Sequence, residues 1–259
     1  MLLMRAIMLV AGRGSRLRNL TDMRPKCLVP FRGRPLLELS VERLKAGGVE
    51  KFTFVAGYRS EAIEAFIETH EIDAEVVLNR DWDSTNMVQS LFCAADRLAA
   101  EPCIVSYGDI FFESGIVRNL ISAQGDLVLA YDHNGRTLWE RRFKDPLSDI
   151  ENFRIGTEGR LIAIGGRVQD ITTVQGQYMG LFKLTPTGLA EMQDFCASLS
   201  ADRRRSIDVT STFSALLGRG TLIRCVPNLD PWGELDSPED IHFFEASTPL
   251  NTPALERSY

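Results

Sequence analysis

Two glycines and two basic side chains stand close together near the start of the chain, in a pattern suited to phosphate. Residues 9–17 read L-V-A-G-R-G-S-R-L, and Lys26 follows soon after. Glycines directly after an apolar strand let backbone N–H groups approach an anion closely, and a following helical turn adds its positive end. Arg16 can bridge two phosphate oxygens, whereas Lys26 adds a mobile point charge. The loop therefore predicts phosphate binding, although for the loop alone a glycine turn with surface arginines remains an alternative.

Two common phosphate motifs do not fit this loop. The Walker A pattern G-x-x-x-x-G-K-[ST] does not occur in the chain, and Leu17 stands where the dinucleotide fingerprint G-x-G-x-x-G needs its third glycine. A P-loop NTPase and a dinucleotide-binding protein are therefore disfavoured.

Three carboxylates are candidate ligands of a divalent cation. Asp109 follows the apolar run 103–107, at the end of a predicted strand, where open α/β sheets bind their ligands. Glu234 and Asp236 share one face if their segment is extended, and two carboxylates on one face are costly without a cation between them. Mg²⁺ takes few protein ligands and prefers carboxylates. The alternatives are that Asp109 caps a turn and that Glu234 and Asp236 are simply exposed to solvent.

The elements that would position these residues alternate between strand-like and helix-like patterns. This alternation predicts an α/β fold with an open, mostly parallel sheet and helices on both faces. Ser60 is predicted to cap one of the helices, and residues 86–99 are predicted to form another. The predicted strands of this part are apolar runs at residues 6–10, 52–56, 75–78, 103–107 and 127–131.

The pattern changes after about residue 132, where shorter apolar segments flank turn residues. Residues 153–155 and 161–164 flank Thr157-Glu158-Gly159 and predict a hairpin, and residues 178–184 predict another strand. We therefore expect one domain over residues 1–247, with a smaller β-rich acceptor-binding insertion at 132–183, and a C-terminal tail at 248–259.

Composition limits the classes of function. The chain has 259 residues and a formal net charge of −6, so it has no general attraction for nucleic acid polymers. Five scattered cysteines without a CxxC pair argue against a zinc site and are typical of a reducing compartment. Arg5 interrupts the apolar first ten residues, which favours a buried strand over a signal peptide, and no apolar run reaches transmembrane length. We expect a soluble, cytoplasmic protein without a membrane span.

Three motifs in order resemble the nucleotidyltransferase superfamily, whose members activate sugar phosphates and phosphocholine. They are G-x-G-x-R-L at residues 12–17, P-K-x-L-V-P at 25–30 and G-x-P-L at 33–36. The resemblance implies a Rossmann-like nucleotidyltransferase fold in which Arg16 faces the departing pyrophosphate and Lys26 contacts the reacting phosphoryl oxygens. It also implies that the loop wraps the triphosphate with Ala11, Gly12, Gly14, Ser15 and Arg16.

A further segment resembles the phosphocholine and phosphonate cytidylyltransferases more than the sugar enzymes. Residues 79–91 carry N-x-x-W followed by T-N-x-x-x-S-L. The resemblance implies CTP as the nucleotide, with Thr85, Asn86 and Ser90 near the base, and we expect Tyr58 to form part of the base wall. In this group an Asp after the central strand and a late E-x-D pair hold Mg²⁺, which here implies Asp109, Glu234 and Asp236 as metal ligands.

The acceptor is less defined by the sequence. A choline headgroup would need an aromatic cage, to which Trp139 and Tyr178 could contribute, whereas Arg141 suits a phosphonate or a second anionic group. Lys26 is expected to contact the acceptor phosphate as well as the nucleotide.

The sequence thus predicts a Mg²⁺-dependent cytidylyltransferase that joins CMP from CTP to a small phosphate or phosphonate acceptor, such as phosphocholine or an aminoalkylphosphonate. One alternative is a sugar-1-phosphate nucleotidylyltransferase that uses another NTP. A second is a catalytically silent, nucleotide-binding regulatory subunit, although this chain retains the lysine and carboxylates that such a subunit could lose. The assembly is left open, a homodimer included.

Overall fold

The computed structural model describes residues 4–247, so the predicted tail at 248–259 lies outside the described residues. The described part combines strands with ten α-helices and several short 3₁₀ turns. The strands are β1 (Met4–Val10), β2 (Pro30–Phe31), β3 (Arg34–Pro35), β4 (Val49–Ala56), β5 (Ala74–Leu78), β6 (Cys103–Tyr107), β7 (Ile110–Phe111), β8 (Leu127–Asp132), β9 (Glu151–Ile155), β10 (Leu161–Arg167), β11 (Gln177–Leu184), β12 (Ile223–Asn228) and β13 (Gly233–Glu234). The helices are α1 (Leu36–Ala46), α2 (Ser60–Thr69), α3 (Met87–Cys93), α4 (Ala95–Ala100), α5 (Ser114–Ser122), α6 (Gly135–Arg142), α7 (Pro186–Ala197), α8 (Ala201–Ser206), α9 (Val209–Gly218) and α10 (Pro238–Ser247).

A seven-stranded sheet forms the centre of the molecule, in the order β12-β8-β11-β6-β1-β4-β5. Every neighbouring pair is parallel except the two pairs that β11 makes with β6 and β8. Both faces of the central strands are covered, since all residues of β1 from Ala6 to Val10 are buried. Continuous apolar runs are the sequence signature of such doubly covered strands, and the predicted fold class is confirmed.

The strand β11 changes the limits of the predicted insertion. The predicted insertion at 132–183 included all of β11 except its last residue, but β11 pairs with β6 and β8 inside the main sheet. The apolar pattern of β11 could not reveal this pairing, because a strand buried on both faces has the same continuous apolar run in the main sheet as in an insertion. The part that leaves the sheet between β8 and β11 is therefore residues 133–176, called the inserted segment below, and it contains the expected antiparallel hairpin β9–β10.

Two local predictions need correction. Residues 86–99 form two helices instead of one, with a break at Ala94 (φ −96°, ψ 18°). Ser60 is the first residue of α2 and does not cap it, because Arg59 occupies the capping position with φ 49°. Both errors fall at helix ends, where the sequence signal is weakest.

Beside the sheet, a second apolar cluster supports the loops that follow β1 and β6. It joins residues from distant parts of the chain and is distinct from the core around the sheet, although Leu138 packs against both. Its largest members are Phe31, Phe111 and Phe244, with Phe111 stacked on Phe31 at 4.9 Å between ring centroids. Rigid packing here fixes the backbone that carries the candidate site.

Candidate active site

A short antiparallel ladder brings the three predicted metal carboxylates together. Strand β7 follows Asp109 directly, and β13 pairs with it so that Glu234 stands opposite Ile110. The ladder is extended by the Leu235 N–H, which donates to the Asp109 carbonyl over 2.9 Å. As a result, Asp109, Glu234 and Asp236 each offer an oxygen within 4.8 Å of the others.

Lys26 lies between two of these carboxylates. Its Nζ donates to Asp109 Oδ2 over 2.7 Å and also to Asp236 Oδ1, which accepts a further contact from Arg16 Nη2 at 2.8 Å. Burial acts to lower the pKa of Lys26, but the neighbouring carboxylates outweigh it, and the pKa lies above its ordinary value. Lys26 is therefore held as a charged ammonium group at the centre of the site.

The carboxylates carry more negative charge than Lys26 and Arg16 can neutralise. Burial, followed by the charges of Asp109 and Asp236, raises the pKa of Glu234 well above its ordinary value. Burial also acts to raise the pKa of Asp236, but Lys26 and Arg16 outweigh it, and the pKa is lowered. A carboxylate destabilised in this way favours an added cation.

One oxygen of this cluster has no partner. Asp109 Oδ1 is buried without any hydrogen bond among the described residues, which is uncommon for a charged group. Three carboxylates, one of which has an unpaired buried oxygen, form a ligand set that suits Mg²⁺. The residues therefore fit the predicted metal site.

The glycine loop is shaped around Lys26. Gly14 has φ +73°, a conformation that L side chains rarely adopt, and a Cβ there would lie 2.6 Å from the Cβ of Lys26. Ser15 and Arg16 then begin the 3₁₀ turn Ser15–Thr21, and both are exposed. The second glycine of G-x-G, Gly14, thus has a defined role, because only glycine lets the loop pack closely against the Lys26 side chain.

Two cavities meet at the carboxylates. The glycine-loop cavity, about 180 Å³, is lined by Lys26 and Asp109 on one side and by several predicted nucleotide-binding residues on the other, namely Ala11, Gly12, Gly14 and Ser90. The insertion cavity, about 340 Å³, is lined by Glu234, Asp236 and Arg16 together with Trp139 and Tyr178. Two reactants could therefore approach the same carboxylates, one from each cavity.

Comparison with known proteins identifies this architecture. The family model of the MobA-like NTP transferase domain matches residues 6–181. The chain belongs to this family. The nucleotidyltransferase activity predicted from the sequence is therefore confirmed at the level of the family.

Individual relatives extend the comparison. The chain is 31% identical to a CTP:phosphoglutamine cytidylyltransferase of Campylobacter jejuni over 92% of this chain and 98% of the relative. It is 33% identical to a CMP-5'-(3-aminopropyl)phosphonate synthase of Streptomyces rubellomurinus, over 46% of this chain but only 19% of that protein. The structure of the inositol-1-phosphate CTP transferase from T. maritima superposes with a TM-score of 0.74 at 21% identity, covering 96% and 98% of the two chains. The predicted resemblance to cytidylyltransferases is confirmed.

Several predicted site residues of this nucleotidyltransferase lie outside both cavities. The hydroxyl of Tyr58 lies 2.9 Å from the carbonyls of Thr21 and Asp22, so it ties down the segment after the glycine loop. Thr85 contacts Asn79 and Asp81, and Asn86 caps α3. Arg141 is exposed, with its guanidinium over the ring of Phe243. A role for these residues in binding remains a prediction.

Sequence reasoning missed a buried ion pair next to the predicted metal carboxylates. Arg142 Nε donates to Asp240 Oδ1 over 2.6 Å, and the two side chains are only 3% and 8% exposed. The other oxygen of Asp240 accepts from the backbone N–H groups of Asp236 and Ser237 at 3.0 and 2.8 Å. Asp240 therefore fixes the backbone that presents Asp236. The only sequence signal was Ser237-x-x-Asp240, which resembles a helix-capping box.

No helix in the described part of the chain is long and apolar enough to cross a membrane.

Proposed function

We propose that this protein transfers the CMP unit of CTP to a phosphate or phosphonate oxygen of a small acceptor, with Mg²⁺ as cofactor and with release of pyrophosphate. The observation that carries the proposal is the meeting of two cavities at Lys26, Asp109, Glu234 and Asp236. The choice of CTP is supported by the Campylobacter relative, whose name specifies that nucleotide and whose length this chain matches.

The residues of this chain position the reactants. Backbone N–H groups of the glycine loop bind the triphosphate, and Arg16, exposed at the mouth of the site, holds the leaving pyrophosphate. Lys26 stabilises the charge that develops on the α-phosphoryl group. The acceptor oxygen attacks the α-phosphorus, its new P–O bond replaces the bond to the β-phosphate, and pyrophosphate leaves. No covalent enzyme intermediate is needed, because the acceptor already carries its nucleophile.

Asp109, Glu234 and Asp236 would hold the metal. Mg²⁺, when bound, supplies charge neutralisation for the phosphoryl oxygens and a common anchor for the two reactants. Lys26 now occupies part of this position and has a flexible side chain, so it can turn towards the phosphates while keeping one carboxylate contact.

A pyrophosphate-release assay with the purified protein tests this function. CTP, UTP, GTP and ATP are each combined with phosphocholine, aminoethylphosphonate, phosphorylated amino-acid amides and sugar 1-phosphates, with and without Mg²⁺. We expect turnover that requires Mg²⁺, favours CTP and uses one of the non-sugar acceptors. Turnover only with a hexose 1-phosphate and another NTP would refute the cytidylyl proposal, and no turnover with any pair would favour a silent regulatory subunit.

A further inference from the structure

The insertion cavity carries a second group of acidic side chains, away from the metal carboxylates. Asp149 and Glu151 come from the inserted segment, and Asp208 precedes α9. None of the three forms an ion pair within residues 4–247. Among residues 4–247, Arg16 is the only basic side chain that lines this cavity, and it already contacts Asp236. The part of the cavity lined by these three carboxylates is therefore negative, and no described basic side chain is paired with them.

Electrostatics make this end favourable for a bound cation. Burial, followed by the charges of Asp208 and Asp149, raises the pKa of Glu151, while the Thr210 side chain acts in the opposite direction. Asp149 also accepts from the Trp139 indole N–H at 2.9 Å, and Asp208 caps α9. Glu151 is thus the member of the group that has neither of these structural roles, and a positively charged ligand would stabilise its carboxylate most.

Unpaired polar atoms in the same wall point independently to a ligand. The Tyr178 hydroxyl, in a residue only 8% exposed, interacts with the Tyr107 side chain but makes no hydrogen bond of normal geometry within the described residues. The side-chain oxygen of Gln177 is buried and has no hydrogen-bond partner within residues 4–247. Both residues line the insertion cavity. A buried polar atom without a partner is costly, and a ligand with N–H donors would remove that cost.

The aromatic wall argues against a quaternary ammonium. Such a group has no N–H donors and depends on open ring faces. One face of Trp139 is stacked on Trp232, with 6.1 Å between centroids, and the Arg142 guanidinium lies 5.2 Å from its ring centroid. Trp139 is also only 1% exposed. It therefore offers no free face for an aromatic cage, whereas carboxylates and neutral oxygens suit a primary ammonium.

We propose that the acceptor carries a primary ammonium group, which binds in the insertion cavity to the carboxylates of Glu151, Asp208 and Asp149 while its phosphate faces Lys26. This inference rests on the proposed function and names the acceptor class. Aminoalkyl phosphates, aminoalkylphosphonates and phosphorylated amino acids share this chemistry. Sugar and inositol phosphates lack it.

Matched acceptors with and without the ammonium group provide the test. Initial rates with CTP and Mg²⁺ are measured for phosphoethanolamine against propyl phosphate, and for 2-aminoethylphosphonate against propylphosphonate. In each pair the second compound has the same shape without the charge. We expect kcat/KM to be about 100-fold higher for the ammonium member of each pair, since its loss leaves buried polar groups unpaired. We expect phosphocholine to be slower than phosphoethanolamine.

Two isosteric variants locate the subsite. Glu151→Gln should reduce the preference for the ammonium acceptor about tenfold without changing the KM for CTP, because one neighbouring charge is removed. Asp208→Asn should have a similar but smaller effect, and since asparagine also caps helices well, the fold is retained. Glu140→Gln, on the exposed face of α6, is the matched control and should change neither quantity.

The outcomes separate this inference from the proposed function. Equal rates for both members of each pair, or a Glu151→Gln loss that is the same for both, would overturn the ammonium subsite and leave the cytidylyl transfer in place. Faster turnover of phosphocholine would overturn the assignment to a primary ammonium. If no acceptor turns over, the proposed function fails, and calorimetric binding of the same pairs still tests the subsite, since equal affinities would contradict it.

Discussion

Two clusters of charged side chains occupy opposite ends of the parallel strands, and they are built differently. The amino-end cluster contains Arg5, Glu75, Arg97 and Glu101. Arg97 makes two contacts with Glu75, at 2.6 and 2.8 Å, and Thr53 donates to the same carboxylate over 2.8 Å. Two cations face two anions there, and within the described residues no buried polar atom of the cluster lacks a partner.

The site cluster, at the carboxyl ends, contains Lys26, Asp109, Glu234 and Asp236. It has three carboxylates, one buried lysine and one unpaired buried oxygen, with the exposed Arg16 at its edge. Ion pairs that are balanced in charge and accessible to solvent contribute little to the free energy of unfolding. A buried excess of carboxylates, by contrast, is unfavourable unless a ligand neutralises it. The difference indicates that the amino-end cluster is structural and that the site cluster is arranged for ligands.

The largest effect should come from Asp109→Asn. We expect turnover to fall by about three orders of magnitude, because a proposed metal ligand is removed at the proposed reacting centre. The melting temperature should stay within about 4 °C, which corresponds to about 1 kcal/mol at this size, since Lys26 keeps its contact with Asp236. Asp194→Asn, on the surface, serves as the control for both measurements. Near-normal turnover of Asp109→Asn would remove this residue from the metal site.

Arg142→Met should show whether the buried ion pair positions the metal carboxylates. We expect the Mg²⁺ concentration for half-maximal turnover to rise about 10- to 100-fold, because Asp240 would no longer hold the backbone of Asp236. Stability should fall by about 3 kcal/mol, since a buried carboxylate loses its partner. Arg142→Lys should recover part of both losses, and Arg136→Met on the exposed face of the same helix should change neither. A loss of stability with an unchanged Mg²⁺ requirement would show that the pair is only structural.

Gly14→Ala tests the closure of the loop over Lys26. The added methyl group meets the lysine side chain at 2.6 Å and forces a conformation that costs about 1–2 kcal/mol. We expect kcat/KM for CTP to fall about tenfold. Gly12→Ala, where a Cβ would meet nothing within 4 Å, should have a clearly smaller effect, and equal losses would contradict the proposed close approach.

The smallest effect should come from Glu75→Gln in the amino-end cluster. The hydrogen bond with Arg97 is the main cause that lowers the pKa of Glu75 from 4.5 to about 2, so the charged form is favoured in the folded state. Its stabilisation is complete above pH 4.5 and disappears as the pH falls towards 2. With allowance for solvent screening, we expect about 1 kcal/mol at pH 7 and no change in turnover. Chemical unfolding of both proteins between pH 2 and 7 measures this, and a difference that grows towards low pH would contradict the assignment.

Local features of the sequence predicted the strands and the glycine loop well. Ala-Gly follows strand β1 directly because a buried strand gives way there to a loop that needs glycine, and both signals are contiguous in the chain. The location of β11 was not predictable in this way, because it depends on which strands the segment pairs with. The same holds for Arg142, whose neighbour Arg141 has the same residue type and yet is exposed.

By itself, the sequence predicted a phosphate-binding loop after the first strand and supplied carboxylates of types suited to Mg²⁺, because these features depend on residue type and local spacing. The tertiary structure decided that Asp109 and Glu234 meet, since only the pairing of β7 with β13 brings these distant segments together. It also brought Glu151 and Asp208, from different elements, into the lining of one cavity. Charge clusters depend on distances in space, and neither composition nor periodicity contains that information.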